Sequence, residues 1–360
     1  MTTTTSTALA TTRLDGLALY QDIWYNAKSR FWDPARAAAL NAFEHCFDDR
    51  IYDIASAKRC AGSMLASLND RYTKLLDTSD IEERAVVAQA TEGSASSAIM
   101  PNNIGLLRID SFSPENITEQ VRKALVEIEH CDGFIIDLRD NLGGLVNQTV
   151  NCLELFVEEG MVVTLESQDS DGVTKTAIYF KPESFFKLVE QPDGKEDSGH
   201  YKRQKCMIKG KPVVVLVNKS TCSSAELFAA ALLESGKNFS LRLSIGTPTS
   251  GKGIVQDTVP LKGCSLVVTS GRYLSPSDRW FGDNGQTIAD GITPDIRVND
   301  PNARTTLRKA HEVLCAHLGK EITPQPKAAV QPFPLLALMG WVAIGALATI
   351  GTMMLTPSRR

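Results

Sequence analysis

An α/β layered fold is expected from three features of the sequence. Strand-like and helix-like segments alternate from Ile104 onward. The strand-like segments GFIIDLR and PVVVLVN are almost wholly apolar, and small residues mark the junctions that lead from them into helices. Strands apolar on both faces belong to a sheet that is covered on both sides.

The elements follow in order. Residues 1–12 are Thr-rich, carry no acidic or basic side chain and lack the apolar stretch of a secretory signal, so a disordered leader is expected there. Residues 13–84 are expected to be a helical region: apolar residues recur at three and four in LDGLALYQDIWYNAKSRFW, Asp33-Pro34 restarts a helix, and residues 54–68 form another. Residues 85–103, rich in Ala, Ser, Thr and Gly without periodicity, are expected to be a linker. The core then occupies residues 104–318. IGLLRIDSF is its first strand, 119–130 a helix, GFIIDLR a strand, 145–158 a helix after a Gly-Gly turn, and MVVTLES a strand. A polar, charged insertion over 168–210 precedes the strand PVVVLVN and the helix 224–233. LRLSIG, GIVQDTVPL and CSLVVTSGRYL are further strands, and 305–318 closes as a helix.

Residues 319–334, with a Pro-Gln-Pro centre, read as a tether. No charged side chain occurs for 31 residues between Lys327 and Arg359, and 335–355 reads LLALMGWVAIGALATIGTMML. As a helix this segment spans about 30 Å, the thickness of a bilayer's hydrocarbon core, so a single C-terminal transmembrane helix is expected. Without a signal peptide, the bulk of the chain is expected in the cytosol.

The chain has 360 residues, 43 % hydrophobic and 22 % charged, with a formal net charge of -4. That composition excludes collagen-like, disulfide-scaffold and wholly disordered chains. It offers no basic surplus for phosphate backbones, so no nucleic-acid partner is expected. The eight cysteines and five histidines are dispersed, with no CxxC pair and no cluster at metal-ligand spacing. Reduced, mostly buried thiols are expected, and no metal.

Two segments carry chemistry. GTPTSGK over 246–252 matches the start of a phosphate-binding P-loop, but Gly253 stands where Ser or Thr should hold magnesium, and IVQDTV beyond it is strand-like where a helix is required. The P-loop reading is therefore rejected. The second segment, Ser220-Thr-Cys-Ser223-Ser224-Ala-Glu226, lies between the apolar strand PVVVLVN and the helical ELFAAALL. A hydroxyl there is exposed at the carboxyl end of a sheet, with the next helix's N-terminal amides aimed at the same spot, as a nucleophile with an oxyanion hole requires. Simple helix capping by Ser223 or Ser224 accounts for the same residues.

The neighbouring motifs distinguish these readings. VNKSTCSSAELFAAAL, PTSGKGIVQ, DLRDNLGG (137–144), GITPD (291–295) and LNDRYTKLLD (68–77) occur as collinear blocks. Together they resemble the carboxyl-terminal processing, or tail-specific, serine peptidases over about residues 14–300. The resemblance implies a ClpP/crotonase-like core and a polypeptide substrate. It implies Ser223 as nucleophile, Lys252 as general base and Gln256 as the residue that orients the lysine. It also implies an oxyanion hole made by the amide of Ser224 and one from the Gly143-Gly144 turn, with Gly143 slightly favoured. Such a lysine must be neutral to accept the serine proton, and burial favours that form. Acyl transfer of this kind needs neither metal nor nucleotide, so no cofactor is expected.

Three features depart from the family pattern. Leu142 replaces a proline, the interval from Ser223 to Lys252 is longer than usual, and residues 82–103 are too few for the PDZ module that many members carry. Ser220 and Ser224 remain competing nucleophiles. Cys222 lacks a histidine partner in the sequence pattern and is read as a packing residue. The reading reached is a membrane-tethered serine endopeptidase. A non-catalytic ligand- or peptide-binding relative and a crotonase-like acyl-CoA enzyme are the alternatives.

Overall fold

The computed structural model describes residues 2–77, 79–80, 95–169, 172–236, 239–282, 291–298 and 303–322. In chain order the helices are α1 (Thr2–Arg30), α2 (Pro34–Ala37), α3 (Ile54–Ala66), α4 (Ile117–Ile128), α5 (Val146–Leu153), α6 (Ser224–Glu234) and α7 (Ala303–His317). The strands are β1 (Lys74–Asp77), β2 (Ala95–Met100), β3 (Ile104–Ile109), β4 (Gly133–Asp137), β5 (Gly160–Asp169), β6 (Gly172–Lys181), β7 (Ser184–Glu190), β8 (Glu196–Lys202), β9 (Val213–Val217), β10 (Arg242–Gly246), β11 (Ile254–Leu261), β12 (Cys264–Leu274) and β13 (Ile296–Arg297).

They form two sheets. The first has the order β13-β10-β9-β4-β3-β2 and is parallel except where β2 joins β3. Every residue of β4 and β9 is buried, as their apolar runs require. Their side chains alternate between two layers. Phe134, Ile136, Val213, Val215 and Val217 pack with α4, α5 and α6, whereas Ile135, Val214 and Leu216 meet Ala310 and Leu314 of α7. The carboxyl ends of β4 and β9 point toward the turns at 139–144 and 218–223, where the site is built.

The second sheet differs from the expected single alternation. β5 to β8, with β1, β11 and β12, form an antiparallel sheet in the order β1-β12-β5-β6-β7-β8 with β11 added on β12, and β9, β10 and β13 return to the first sheet. The burial pattern explains the split. β6 alternates exposed and covered positions over its first half, the mark of a sheet with one wet face. Most of the polar 168–210 stretch forms β6, β7 and β8 and is therefore a meander rather than irregular chain.

The N-terminal helices cover the other sheet surface. Leu19, Ile23, Phe31, Leu40 and Leu65 bury Cys264, Leu266 and Val268 of β12, and the Trp32 amide donates to the Thr269 carbonyl at 2.9 Å. Three boundaries shift. α1 takes in residues 2–12, expected to be a disordered leader: no Pro or Gly stands between Thr2 and Leu14 to stop a helix already formed. Residues 95–100, expected as part of a linker, supply edge strand β2, and residues 74–77 of the expected helical region form β1.

Among the described residues no helix is long and apolar enough to cross a membrane. The apolar run 335–355 lies outside the described residues, as does most of the interval 82–103. Five cysteines (131, 152, 206, 264 and 315) are buried, and none forms a disulfide. At the end of β10, Gly246 has φ +143°, and a Cβ there would sit 1.8 Å from the Val217 carbonyl oxygen. Gly246→Ala is expected to lower the unfolding free energy by more than about 3 kcal/mol, measured by chemical denaturation.

Candidate active site

Ser223 follows β9 and caps α6 with φ 55° and ψ −125°. A non-glycine residue in that region is strained by about 1–3 kcal/mol and persists only where its surroundings hold it. Glu226 does so. Its Oε2 accepts the Ser223 amide at 2.8 Å, reaching back from the third helical position. The same oxygen accepts the Lys252 amide at 2.9 Å, while Oε1 accepts the Gly251 amide at 2.7 Å and the Thr249 hydroxyl at 2.5 Å. One carboxylate thus joins the serine turn to the lysine loop. Burial pushes the Glu226 carboxyl up to about 7, against the pull of its four donors.

Lys252 lies between β10 and β11. The chain continues from Gly253 into a strand, so the helix that a P-loop needs is absent. Lys252 Nζ donates to Gln256 Oε1 at 2.8 Å, a neutral acceptor, and lies 5.5 Å from the centre of the Tyr72 ring. A β-bulge between Val255 and Gln256 shifts the register and sets Gln256 opposite Thr269. Ser223, Lys252 and Gln256 are only 3 %, 4 % and 4 % exposed, which removes most of the water that would favour a charged amine.

The oxyanion candidates surround the serine. A Cβ on Gly143 (φ +96°) would lie 2.9 Å from both Ser223 Cβ and the Ser224 nitrogen, so only glycine permits this approach. The Gly143 amide donates to Asn141 Oδ1 at 2.8 Å, and it is the amides of Gly144 and Ser224 that have no acceptor among the described residues. The Ser224 hydroxyl donates to the Gly144 carbonyl at 2.8 Å and ties α6 to the turn. Ser220 sits farther back, its amide held by Asn218 Oδ1 at 3.1 Å. Burial, reinforced by the Glu226 charge, raises the Cys222 thiol above its ordinary value, which suits a packing role.

The remaining motifs converge on the same place. Asn218 Oδ1 accepts from the Asp140 amide at 3.0 Å, and the Asn141 carbonyl accepts from the Cys222 amide at 3.0 Å. A Cβ on Gly291 would lie 2.2 Å from Glu226 Oε1, so the GITPD segment packs directly on the clamp. Glu226 has no role assigned by the motifs of the sequence, although Ser-x-x-Glu before a helix is a capping signal. Two further residues went unnoticed: Thr249, and Tyr273, whose buried hydroxyl donates to the Lys252 carbonyl at 2.5 Å and reaches Ser223. No local pattern marks Tyr273, since it reaches the site from a distant strand.

Residues 103–298 match peptidase family S41. A carboxy-terminal processing protease of Bacillus subtilis is 30 % identical over 209 residues, covering 57 % of this chain and 37 % of that protein. A chloroplastic C-terminal processing peptidase of Tetradesmus obliquus is 29 % identical over 226 residues, covering 62 % and 40 %. The chain therefore spans well under half the length of these relatives. Among solved structures, the photosystem II D1 C-terminal processing protease has a TM-score of 0.58 at 18 % identity, covering 83 % of this chain and 97 % of that one. A lipoprotein from Streptococcus agalactiae has a TM-score of 0.60 at 14 % identity, covering 84 % and 96 %. At such identities the likeness is one of fold.

Proposed function

Because the chain belongs to peptidase family S41, we propose that it is a serine endopeptidase in which Ser223 and Lys252 act together on polypeptide substrates. The observation that carries this reading is the buried Lys252 amine, held by neutral Gln256 and joined through Glu226 to a strained serine at a helix N-terminus.

Neutral Lys252 Nζ takes the proton from Ser223 Oγ as the oxygen attacks the scissile carbonyl carbon. The developing oxyanion is met by the Ser224 amide and by the 143–144 turn, where the Gly144 amide has no acceptor among the described residues while the Gly143 amide is held by Asn141 Oδ1. The lysine then gives its proton to the departing amine. Water attacks the acyl-enzyme by the same route reversed, and Ser223 is regenerated. Gln256 keeps the amine aimed throughout.

The full chain is expected to cleave an unfolded protein and to take a fluorophosphonate label on the peptide containing Ser223, read by mass spectrometry. Ser223→Ala should do neither. Cleavage that survives in Ser223→Ala would overturn the assignment.

The apolar run 335–355 is proposed as a membrane anchor, with the peptidase part on the cytosolic side. Support comes from its length and its lack of charge. The anchored protein should stay with membranes after alkaline carbonate washing, and a chain ending at residue 330 should be released.

A further inference from the structure

The Gln256 amide can face Lys252 either way round, and only its oxygen accepts a hydrogen bond. Oε1 meets Nζ here, because Nε2 is engaged elsewhere, donating to the Tyr72 carbonyl at 3.0 Å. Tyr72 belongs to the turn between α3 and β1, some 180 residues earlier in the chain. That turn opens at Asn69 with φ 48° and is closed by buried Asp70. Asp70 Oδ2 accepts from the Thr73 amide at 3.0 Å, the Thr73 hydroxyl at 2.6 Å and the Thr269 hydroxyl at 2.7 Å. The Thr73 hydroxyl in turn accepts from the Thr269 amide at 3.1 Å. Thr269 is the β12 residue paired with Gln256. The turn is thereby bound to the strand position opposite the glutamine whose amide it orients.

We infer that residues 69–73 form a positioning device for the catalytic lysine. Asp70 and Thr73 hold the Tyr72 carbonyl, the carbonyl sets the Gln256 amide, and the amide sets the lysine amine. The N-terminal helical region is then part of the catalytic apparatus. This rests on the reading of Ser223 and Lys252 as a peptidase pair.

Thr73→Val keeps the side chain's shape and removes the hydroxyl that bridges Asp70 and Thr269. In the full chain it should lower kcat about tenfold and leave KM within about twofold, and Thr73→Ser should restore turnover. In a Gln256→Ala background Thr73→Val should cost nothing further, whereas a purely structural threonine would cost the same factor in both. A second readout does not need turnover: acetylation of Lys252 by an amine-reactive reagent, followed by mass spectrometry. It should quicken several-fold in Thr73→Val and in Gln256→Ala, and no more in the double variant. A wild-type chain that cleaves nothing would defeat the peptidase reading, while the labelling would still decide the positioning. Unchanged kcat and labelling in Thr73→Val, or effects of the two substitutions that multiply, would overturn the inference.

Discussion

Lys252→Ala is expected to lower kcat for cleavage of an unfolded protein by about 10⁴-fold, and adding Ser223→Ala to it should cost little more. In the proposed mechanism the two groups serve one proton transfer, so removing either should stop it. What survives is the binding and oxyanion stabilisation supplied by backbone amides. Lys252→Arg should fare no better than alanine, because a guanidinium does not give up its proton in a protein. Steady-state kinetics of the three variants, with thermal unfolding to show that the fold is kept, tests this. Losses that multiply in the double variant would mean that the two residues act separately.

The second large effect is expected at Glu226. Each of its oxygens accepts two donors, from Ser223 and Lys252 on one and from Thr249 and Gly251 on the other. Glu226→Gln turns an NH₂ group toward one of these pairs, where donor meets donor. The serine turn and the lysine loop should part, and kcat should fall about 10²-fold. Stability shows the same group through its pH dependence. The folded carboxyl titrates near 7, against 4.5 for its ordinary value. A raised carboxyl binds its proton more tightly in the folded state, so its contribution is complete below 4.5 and is lost as pH rises toward 7, by about 3 kcal/mol in all. The unfolding free energy of Glu226→Gln should lack that part of the slope between pH 4.5 and 7. Denaturation at a series of pH values reads it directly, and an unaltered slope would sink the assignment.

Much of the fold was legible locally. GFIID and VVVLV are apolar at nearly every position, and a strand of that kind has few places to go other than the middle of a covered sheet. Ser223 and Lys252 each sit in a short block of small residues, STCSSA and TSGKG, whereas Gln256 lies in the strand IVQDTVPL and is singled out only by the family resemblance. The separation into two sheets was less visible. MVVTLES is as apolar as a parallel strand, and only its pairing with β6 and β12 shows that it belongs to the antiparallel sheet. A Thr-rich stretch without charge has the composition of a disordered leader in isolation, yet residues 2–12 continue α1, whose later turns bury Leu19, Ile23 and Ala27.

By itself the sequence determined the alternation of elements, the serine at a strand-to-helix junction and the lysine between two glycines, since these depend on neighbours within a few residues. Only the tertiary structure decided what brings them to one point. Glu226 bridges two loops 26 residues apart, Tyr273 enters from β12, and Tyr72 reaches Gln256 across 184 residues. Hydrogen bonds between distant segments follow from the packing of sheets and helices, and no periodicity or local propensity along the chain encodes them.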